Sequence, residues 1–131
     1  MNRPQKRAPD AGRFAYGGLD RILHEKARLG IMTSLMTRSD GMLFGELKAA
    51  CSLTDGNLNR HLDVLAEARL VKSWKGFEGK RPQTLVRMTP GGRERFVEYL
   101  GELERVLRDA QAATAALAVM PRGTPRGFAP A

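Results

Sequence analysis

The spacing of apolar residues in this sequence changes from helical to alternating after residue 69, and this change limits the fold most strongly. Leucines at three- and four-residue intervals predict a helix over residues 54–68. Alternating side chains over residues 70–77 and 84–88 predict two strands of a hairpin, joined by a basic connection over residues 78–83. The leucines and the residue beside them on the predicted buried face are Leu58, Leu62, Leu65 and His61.

Two further helices before residue 54 and one long helix after the hairpin complete the pattern. Apolar residues at helical spacing predict a first helix over residues 19–36, with Asp20 as an N-cap or first-turn acid. Residues 42–44 predict a brief strand, and residues 45–51 a second helix. Thr-Pro at residues 89 and 90 is a strong helix start, and the pattern continues to about residue 120.

Size and charge exclude several classes of protein. The 131 residues are enough for one modest core and too few for a barrel or doubly wound enzyme. Lys and Arg number 22 against 14 Asp and Glu, a formal net charge of +8, which favours a polyanionic partner. Six basic residues and one acid lie between Arg69 and Arg87, so a net charge of +5 belongs to the predicted hairpin and its approach.

The order helix, short strand, helix, helix, hairpin, long helix is that of a winged helix-turn-helix. The sequence resembles small winged-helix transcriptional regulators related to the MarR and ArsR groups over about residues 19–107. Its most specific segments are TDGNLNRHLDVL from Thr54, GFEGKRPQT from Gly76 and LVRMTPGGRERF from Leu85. The resemblance implies a mainly α fold with a small β-hairpin wing and a long C-terminal dimerisation helix.

The resemblance also implies that the helix of residues 54–68 lies in the major groove of DNA. Arg60 can pair with a guanine edge, Asn57 and Asn59 can read adenine or hold phosphates, and Gly56 permits close approach. An ordinary solvated helix face is the alternative, but such faces carry mostly Glu and Lys. The predicted DNA-binding residues of this helix are Thr54, Asp55, Gly56, Asn57, Asn59 and Arg60.

The hairpin, with its wing over residues 75–84, is expected to contact the flanking backbone or the minor groove. Lys80 and Arg81 are predicted at its tip, and Trp74 is predicted to pack in the core under it. The predicted DNA-binding residues of the wing are Lys75, Lys80, Arg81 and Gln83.

The last helix carries a continuous heptad pattern, which predicts a helix partner. Its first half can pack on the first helix within one subunit, whereas the second half has nothing obvious to cover. We therefore expect a homodimer formed by the last and first helices. The heptad positions are Phe96 and the predicted interface residues Leu100, Leu103, Leu107, Ala110, Thr114 and Leu117.

The ends of the chain differ in composition from the predicted domain of residues 18–120. Residues 1–17 are interpreted as a flexible basic arm and residues 121–131 as a disordered tail, because both mix Pro, Gly and Arg without a period. The sequence shows no leader and no stretch long enough to span a membrane, which predicts a cytoplasmic protein.

Catalytic and metal-binding residue patterns are not visible. His24, His61 and the single cysteine Cys51 lack the spacing of metal ligands, so no metal or other cofactor is expected, and Cys51 is interpreted as a buried structural thiol. Without a nucleophile motif or paired carboxylates, an enzyme is not expected.

The sequence thus predicts a regulator, expected to be a repressor, that binds double-stranded DNA as a homodimer. A winged helix used for protein–protein interaction, without sequence-specific DNA binding, is the alternative. The sequence identifies no small-molecule effector.

Overall fold

The computed structural model describes residues 11–117 and 121–131, which form four α-helices and one three-stranded antiparallel sheet. The predicted fold class, mainly α with a small hairpin wing and a long last helix, is confirmed, and the brief predicted strand is the third strand of the sheet. The elements are α1 Lys26–Met36, β1 Met42–Leu43, α2 Phe44–Cys51, α3 Asp55–Glu67, β2 Val71–Glu78, β3 Arg81–Met88 and α4 Pro90–Ala116.

The sheet has the order β1-β3-β2. Strands β2 and β3 pair along their whole length, from Val71 opposite Met88 to Glu78 opposite Arg81. Strand β1 pairs only with the second half of β3, where Met42 lies opposite Val86. The first half of β3 and its β2 partner therefore project beyond β1 as the wing.

One hydrophobic core joins the four helices to the inner face of the sheet. The leucines predicted on the buried face of α3 are all in it, and His61 beside them is buried as predicted. The buried apolar residues are Leu23, Ile31, Met32, Leu35, Met42, Leu47, Leu58, Leu62, Leu65, Leu70, Val71, Val86, Phe96 and Tyr99.

Helix α1 starts at Lys26, so the predicted start at residue 19 is wrong. Asp20 does cap, but it caps a turn: its Oδ1 accepts hydrogen bonds from the backbone N–H groups of Ile22 and Leu23. Glu25 then adopts an extended backbone and becomes the N-cap of α1, where its side chain accepts from Arg28 N at 2.8 Å. The capped turn places Leu23 in the core without a helix, which is why apolar spacing alone misled.

The hairpin turn is also shorter than predicted. Gly79 and Lys80 alone separate the strands, and Gly79 takes the left-handed φ of +63° that such a turn requires. Arg81, Pro82 and Gln83 belong to β3, although their sequence shows no alternation of polarity. The wing extends away from the core, so neither face of these residues requires an apolar side chain.

Helix α4 ends at Ala116 with Leu117 as its C-cap, and the predicted end near residue 120 lies outside the described residues. Its middle contacts the N-terminal segment: Tyr16 donates a hydrogen bond to Asp109 at 2.7 Å, and Gly18 N donates to Glu102 at 2.9 Å. Residues 1–10 of the predicted arm lie outside the described residues.

Helix α4 begins in tight contact with the segment that links α3 to β2. Thr89 is the N-cap: its Oγ1 accepts from Gly92 N at 2.8 Å and donates to Arg69 O at 2.7 Å. A Cβ added to Gly92 would lie 2.2 Å from Leu70 O, whereas one added to Gly91 would meet nothing within 4 Å. Glycine at residue 92 is therefore required for α4 to approach α3.

Replacing Gly92 with Ala is expected to lower the free energy of unfolding by about 2 kcal/mol or more, because the backbone of Leu70 must move to admit the methyl group. Gly91→Ala is the matched control and should change it by less than about 1 kcal/mol, since Ala favours the helix. Urea unfolding followed by circular dichroism measures both. Equal stabilities for the two variants would contradict this packing.

Candidate nucleic-acid interface

Helices α2 and α3 form a helix-turn-helix with a short connection. Ser52 ends α2 in the left-handed conformation, with a φ of +52°, and Thr54 starts α3 by accepting a hydrogen bond from Asn57 N at 3.1 Å. The first bond of the helix itself runs from Leu58 N to Thr54 O, so the N–H groups of Asp55 and Gly56 precede the helical ladder. The N-terminus of α3 can therefore receive an anion such as a phosphate.

The outer face of α3 brings together most of the residues predicted there. Gly56, Asn57, Asn59 and Arg60 are all exposed. Arg60 Nη2 donates to Asn57 Oδ1 at 3.1 Å, which holds the guanidinium beside the first turn. A Cβ at Gly56 would meet open space, so packing within the chain does not require a glycine there.

Asp55 differs from the other residues predicted on α3. Its Oδ1 lies 2.8 Å from Lys48 Nζ of α2, and both side chains are exposed. The N-terminal end of α3 would meet a phosphate, and the ion pair with Lys48 offsets the negative charge of Asp55 there. Asp55 thus fits a role in joining the two helices better than direct contact with DNA.

The predicted residues of the wing lie on both of its faces. Lys75 faces the same side as Phe77, whereas Arg81 and Gln83 face the opposite side, because side chains alternate along a strand. Lys80 occupies the turn itself. Lys75, Lys80 and Arg81 are exposed and Gln83 is half-buried, so the wing offers cations in several directions around its tip.

An open groove of about 720 Å³ separates the wing from the start of α2. Phe44 and Gly45 line one wall, and Phe77, Pro82 and Thr84 line the other. Phe77 is 71% exposed and was not singled out from the sequence. The available signal in the sequence was its place near the end of β2, next to Glu78, where a predicted wing leaves the core.

Trp74 is not in the core, so the prediction for this residue is wrong. It is 42% exposed, on the outer face of the sheet. Lys72 Nζ lies 5.5 Å and the Arg87 guanidinium carbon 5.3 Å from its ring centroid, within the range of cation–π contact. Alternation explains the error: Val71 is buried, so Lys72 and Trp74 must share the opposite face. These three side chains form a basic, aromatic patch that sequence reasoning missed.

The heptad positions of α4 divide into a covered half and an uncovered half. Phe96 is buried, and Leu100 and Leu103 are half-buried against the core. Beyond them Leu107 and Leu117 are 52% and 56% exposed. The remaining heptad positions, Ala110 and Thr114, are exposed as well.

The histidines and the cysteine are engaged in separate contacts. His24 Nδ1 lies 2.8 Å from the Tyr99 hydroxyl, and Ser34 Oγ lies 3.7 Å from the sulfur of Cys51, which is half-buried. Within residues 11–117 and 121–131, no three His, Cys, Asp or Glu side chains are placed to hold a metal ion. No helix in the same part of the chain is long and apolar enough to cross a membrane.

Residues 27–107 match a family model described as a winged helix DNA-binding domain, and the match extends from α1 into α4. The chain belongs to this winged-helix family. The winged-helix regulator that the sequence resembles is thereby confirmed, and the family is a DNA-binding and not an enzymatic one.

The chain is also similar to solved structures and to a curated relative. A transcriptional regulator homologue from Pyrococcus horikoshii OT3 is 35% identical, with a TM-score of 0.65 over 70% of this chain and 89% of that one. An uncharacterized protein of Methanocaldococcus jannaschii is 34% identical over 68 residues, 52% of this chain and 74% of its own length. A MarR-family transcriptional regulator from Rhodococcus sp. RHA1 shares the fold at 16% identity, with a TM-score of 0.53 over 84% of this chain and 76% of that one.

Proposed function

We propose that this winged-helix regulator is a sequence-specific repressor that binds double-stranded DNA as a homodimer in the cytoplasm. The observation that carries the proposal is the outer face of α3, where Asn57, Asn59 and Arg60 are exposed together at the N-terminal end. Amide and guanidinium groups are the side-chain groups that read adenine and guanine in the major groove. The helix-turn-helix leaves this face clear of the core.

The distribution of charge supports the same orientation. Two of the three acids of α3, Asp63 and Glu67, are exposed in its later turns, away from the N-terminal end, and the third, Asp55, is paired with Lys48. Lys75, Lys80 and Arg81 surround the tip of the wing. With the N-terminal half of α3 in the groove, the wing reaches the flanking phosphates or the minor groove, and Asp63 and Glu67 stay farther from the DNA.

The uncovered half of α4 supports the dimer. Leu107 and Leu117 are apolar, exposed and in heptad register with the residues that pack on the core. A second copy of α4 would remove them from water. Two copies related by a two-fold axis would present α3 to half-sites roughly 34 Å apart. A dimer of this kind bound at a promoter would exclude other proteins from it, and we therefore propose repression.

Replacing Arg60 with Ala is expected to weaken binding to a specific duplex, selected from a random pool, by about 10-fold or more, because a bidentate contact to guanine is lost. Binding to an unrelated duplex should change much less. Fluorescence anisotropy at fixed salt measures both affinities. Arg108→Ala on α4 is the control, since it removes the same charge from an exposed position far along the chain.

Equal losses on the two duplexes would contradict base reading by Arg60. If selection yielded no preferred sequence at all, and the weak DNA binding disappeared at moderate salt, the alternative of a protein-interaction module would be favoured. The exposed Phe77 beside the groove of about 720 Å³ is the feature that a protein partner would use.

The double substitution of Lys80 and Arg81 by Ala should weaken specific and non-specific binding alike. Each lost phosphate contact lowers the slope of log affinity against log salt by about 1, so we expect a decrease of about 2. Titrations at four salt concentrations give the slope. An unchanged slope would place the wing away from the DNA backbone.

The dimer is tested by light scattering at micromolar concentration, where we expect twice the mass of the chain. The double substitution of Leu107 and Leu117 by Glu should give the mass of one chain, because four carboxylates would meet in the interface. Val97→Glu is the control: Val97 is 51% exposed but lies outside the heptad register. A single-chain mass for the unmodified protein would contradict the dimer.

A further inference from the structure

His61 is a polar residue on the buried face of α3, the helix that carries the proposed DNA-reading residues Asn57, Asn59 and Arg60. Its relative exposure is 8%, and it packs among the leucines of α3. Its Nδ1 atom lies 3.1 Å from Nη1 of Arg28 in α1. A guanidinium has donors only, so Nδ1 must accept this hydrogen bond. The imidazole is therefore neutral in this arrangement and carries its proton on Nε2.

Arg28 is itself held at the start of α1. Its Nε donates to Ile22 O at 2.6 Å, and its backbone N–H donates to Glu25 Oε1 at 2.8 Å, the bond that caps the helix. The same Glu25 oxygen lies 3.9 Å from His61 Nδ1. His61 thus connects α3 to the first turn of α1 and lies beside the carboxylate that caps this helix.

We propose that His61 is a positioning residue for the DNA-reading face of α3, and that its protonation weakens DNA binding. The inference rests on the proposed function, because the property affected is the affinity for DNA. His61 follows Arg60 in the sequence and lies about 100° around the helix from it, on the buried side. A shift of α3 relative to α1 therefore moves Asn57 and Arg60 directly.

A proton on Nδ1 changes both contacts. It removes the acceptor for Arg28 and puts a second positive charge beside the guanidinium, which must then move away. The imidazolium attracts the Glu25 carboxylate, which also caps α1, so protonation competes with the cap. The first change breaks the hydrogen bond that joins α3 to Arg28, and the second draws the Glu25 carboxylate away from its place as the cap of α1.

Glu25 and Arg28 are the charged groups in the immediate surroundings of His61 that bear on its protonation. Partial burial acts to raise the pKa of Glu25, but hydrogen bonds from the backbone N–H groups of Arg28 and Ala27 and the charge of Arg28 act to lower it, and the net pKa is lowered. Glu25 therefore stays ionised throughout the pH range of the test. On the α4 side, Arg95 is paired with Asp20 and Tyr99 with His24. The strand next to α3 presents the uncharged Val71 to the core.

The test compares three proteins on one duplex selected by the unmodified protein at pH 7.5. His61→Gln keeps a side-chain acceptor for Arg28 but does not titrate. His24→Gln is the matched control, because the chain has only two histidines. At pH 7.5 we expect all three affinities to agree within about twofold. At pH 5.5 the unmodified protein and His24→Gln should bind about fivefold or more weakly than His61→Gln, the size of an ordinary coupling between sites.

Taking the ratio to His61→Gln at each pH removes the general effect of pH on DNA binding. Identical pH profiles for the unmodified protein and His61→Gln would overturn the inference, as would the loss of the pH effect in His24→Gln. If the unmodified protein selected no duplex at pH 7.5, the proposed function would fail instead.

A second measurement needs neither DNA nor a variant. Nitrogen-15 NMR of the unmodified protein at pH 7.5 should show the neutral His61 ring protonated on Nε2. A ring protonated on Nδ1 would overturn the inference, because it could not accept from Arg28.

Discussion

The burial of one face of α3 is the interaction on which the rest of the structure depends. Leu58, Leu62 and Leu65 are between 0% and 7% exposed, and burial of a leucine side chain contributes about 1.5–3 kcal/mol. The exposed hydrogen bond between Arg60 and Asn57 is worth far less. Hydrophobic packing therefore sets the rotation of the helix, and the polar residues face solvent as a consequence. His61 adds the polar connection to α1 on the same buried face.

Residue spacing predicted the elements that bury a regular apolar stripe, and capping residues predicted where a helix starts. The leucines of α3 and the Thr89-Pro90 start of α4 are examples, and the order of the elements was enough for the winged-helix resemblance. The turn that contains Leu23 could not be distinguished from helix, because its carboxylate cap and apolar residues are also typical of a helix start. The strand residues Arg81 to Gln83 carry no alternation, because the wing has no buried face there.

Individual site residues were harder to predict than the elements. The exposed cluster at the start of α3 follows from the helix pattern alone. The pairing of Asp55 with Lys48 could not be foreseen, because it depends on the angle between α2 and α3. Trp74 was predicted in the core, and this error could have been avoided. Side chains alternate along β2, so the burial of Val71 places Trp74 on the outward face beside Lys72.

We propose that the N-terminal half of α3 enters the major groove of DNA, and methylation interference probes this contact at individual bases. Dimethyl sulfate methylates guanine N7 in the major groove and adenine N3 in the minor groove. On a selected duplex, we expect interference at discrete guanines of each half-site, one of which is lost with Arg60→Ala. Binding that is blocked only by adenine N3 methylation would contradict it, since the protein would then read the minor groove.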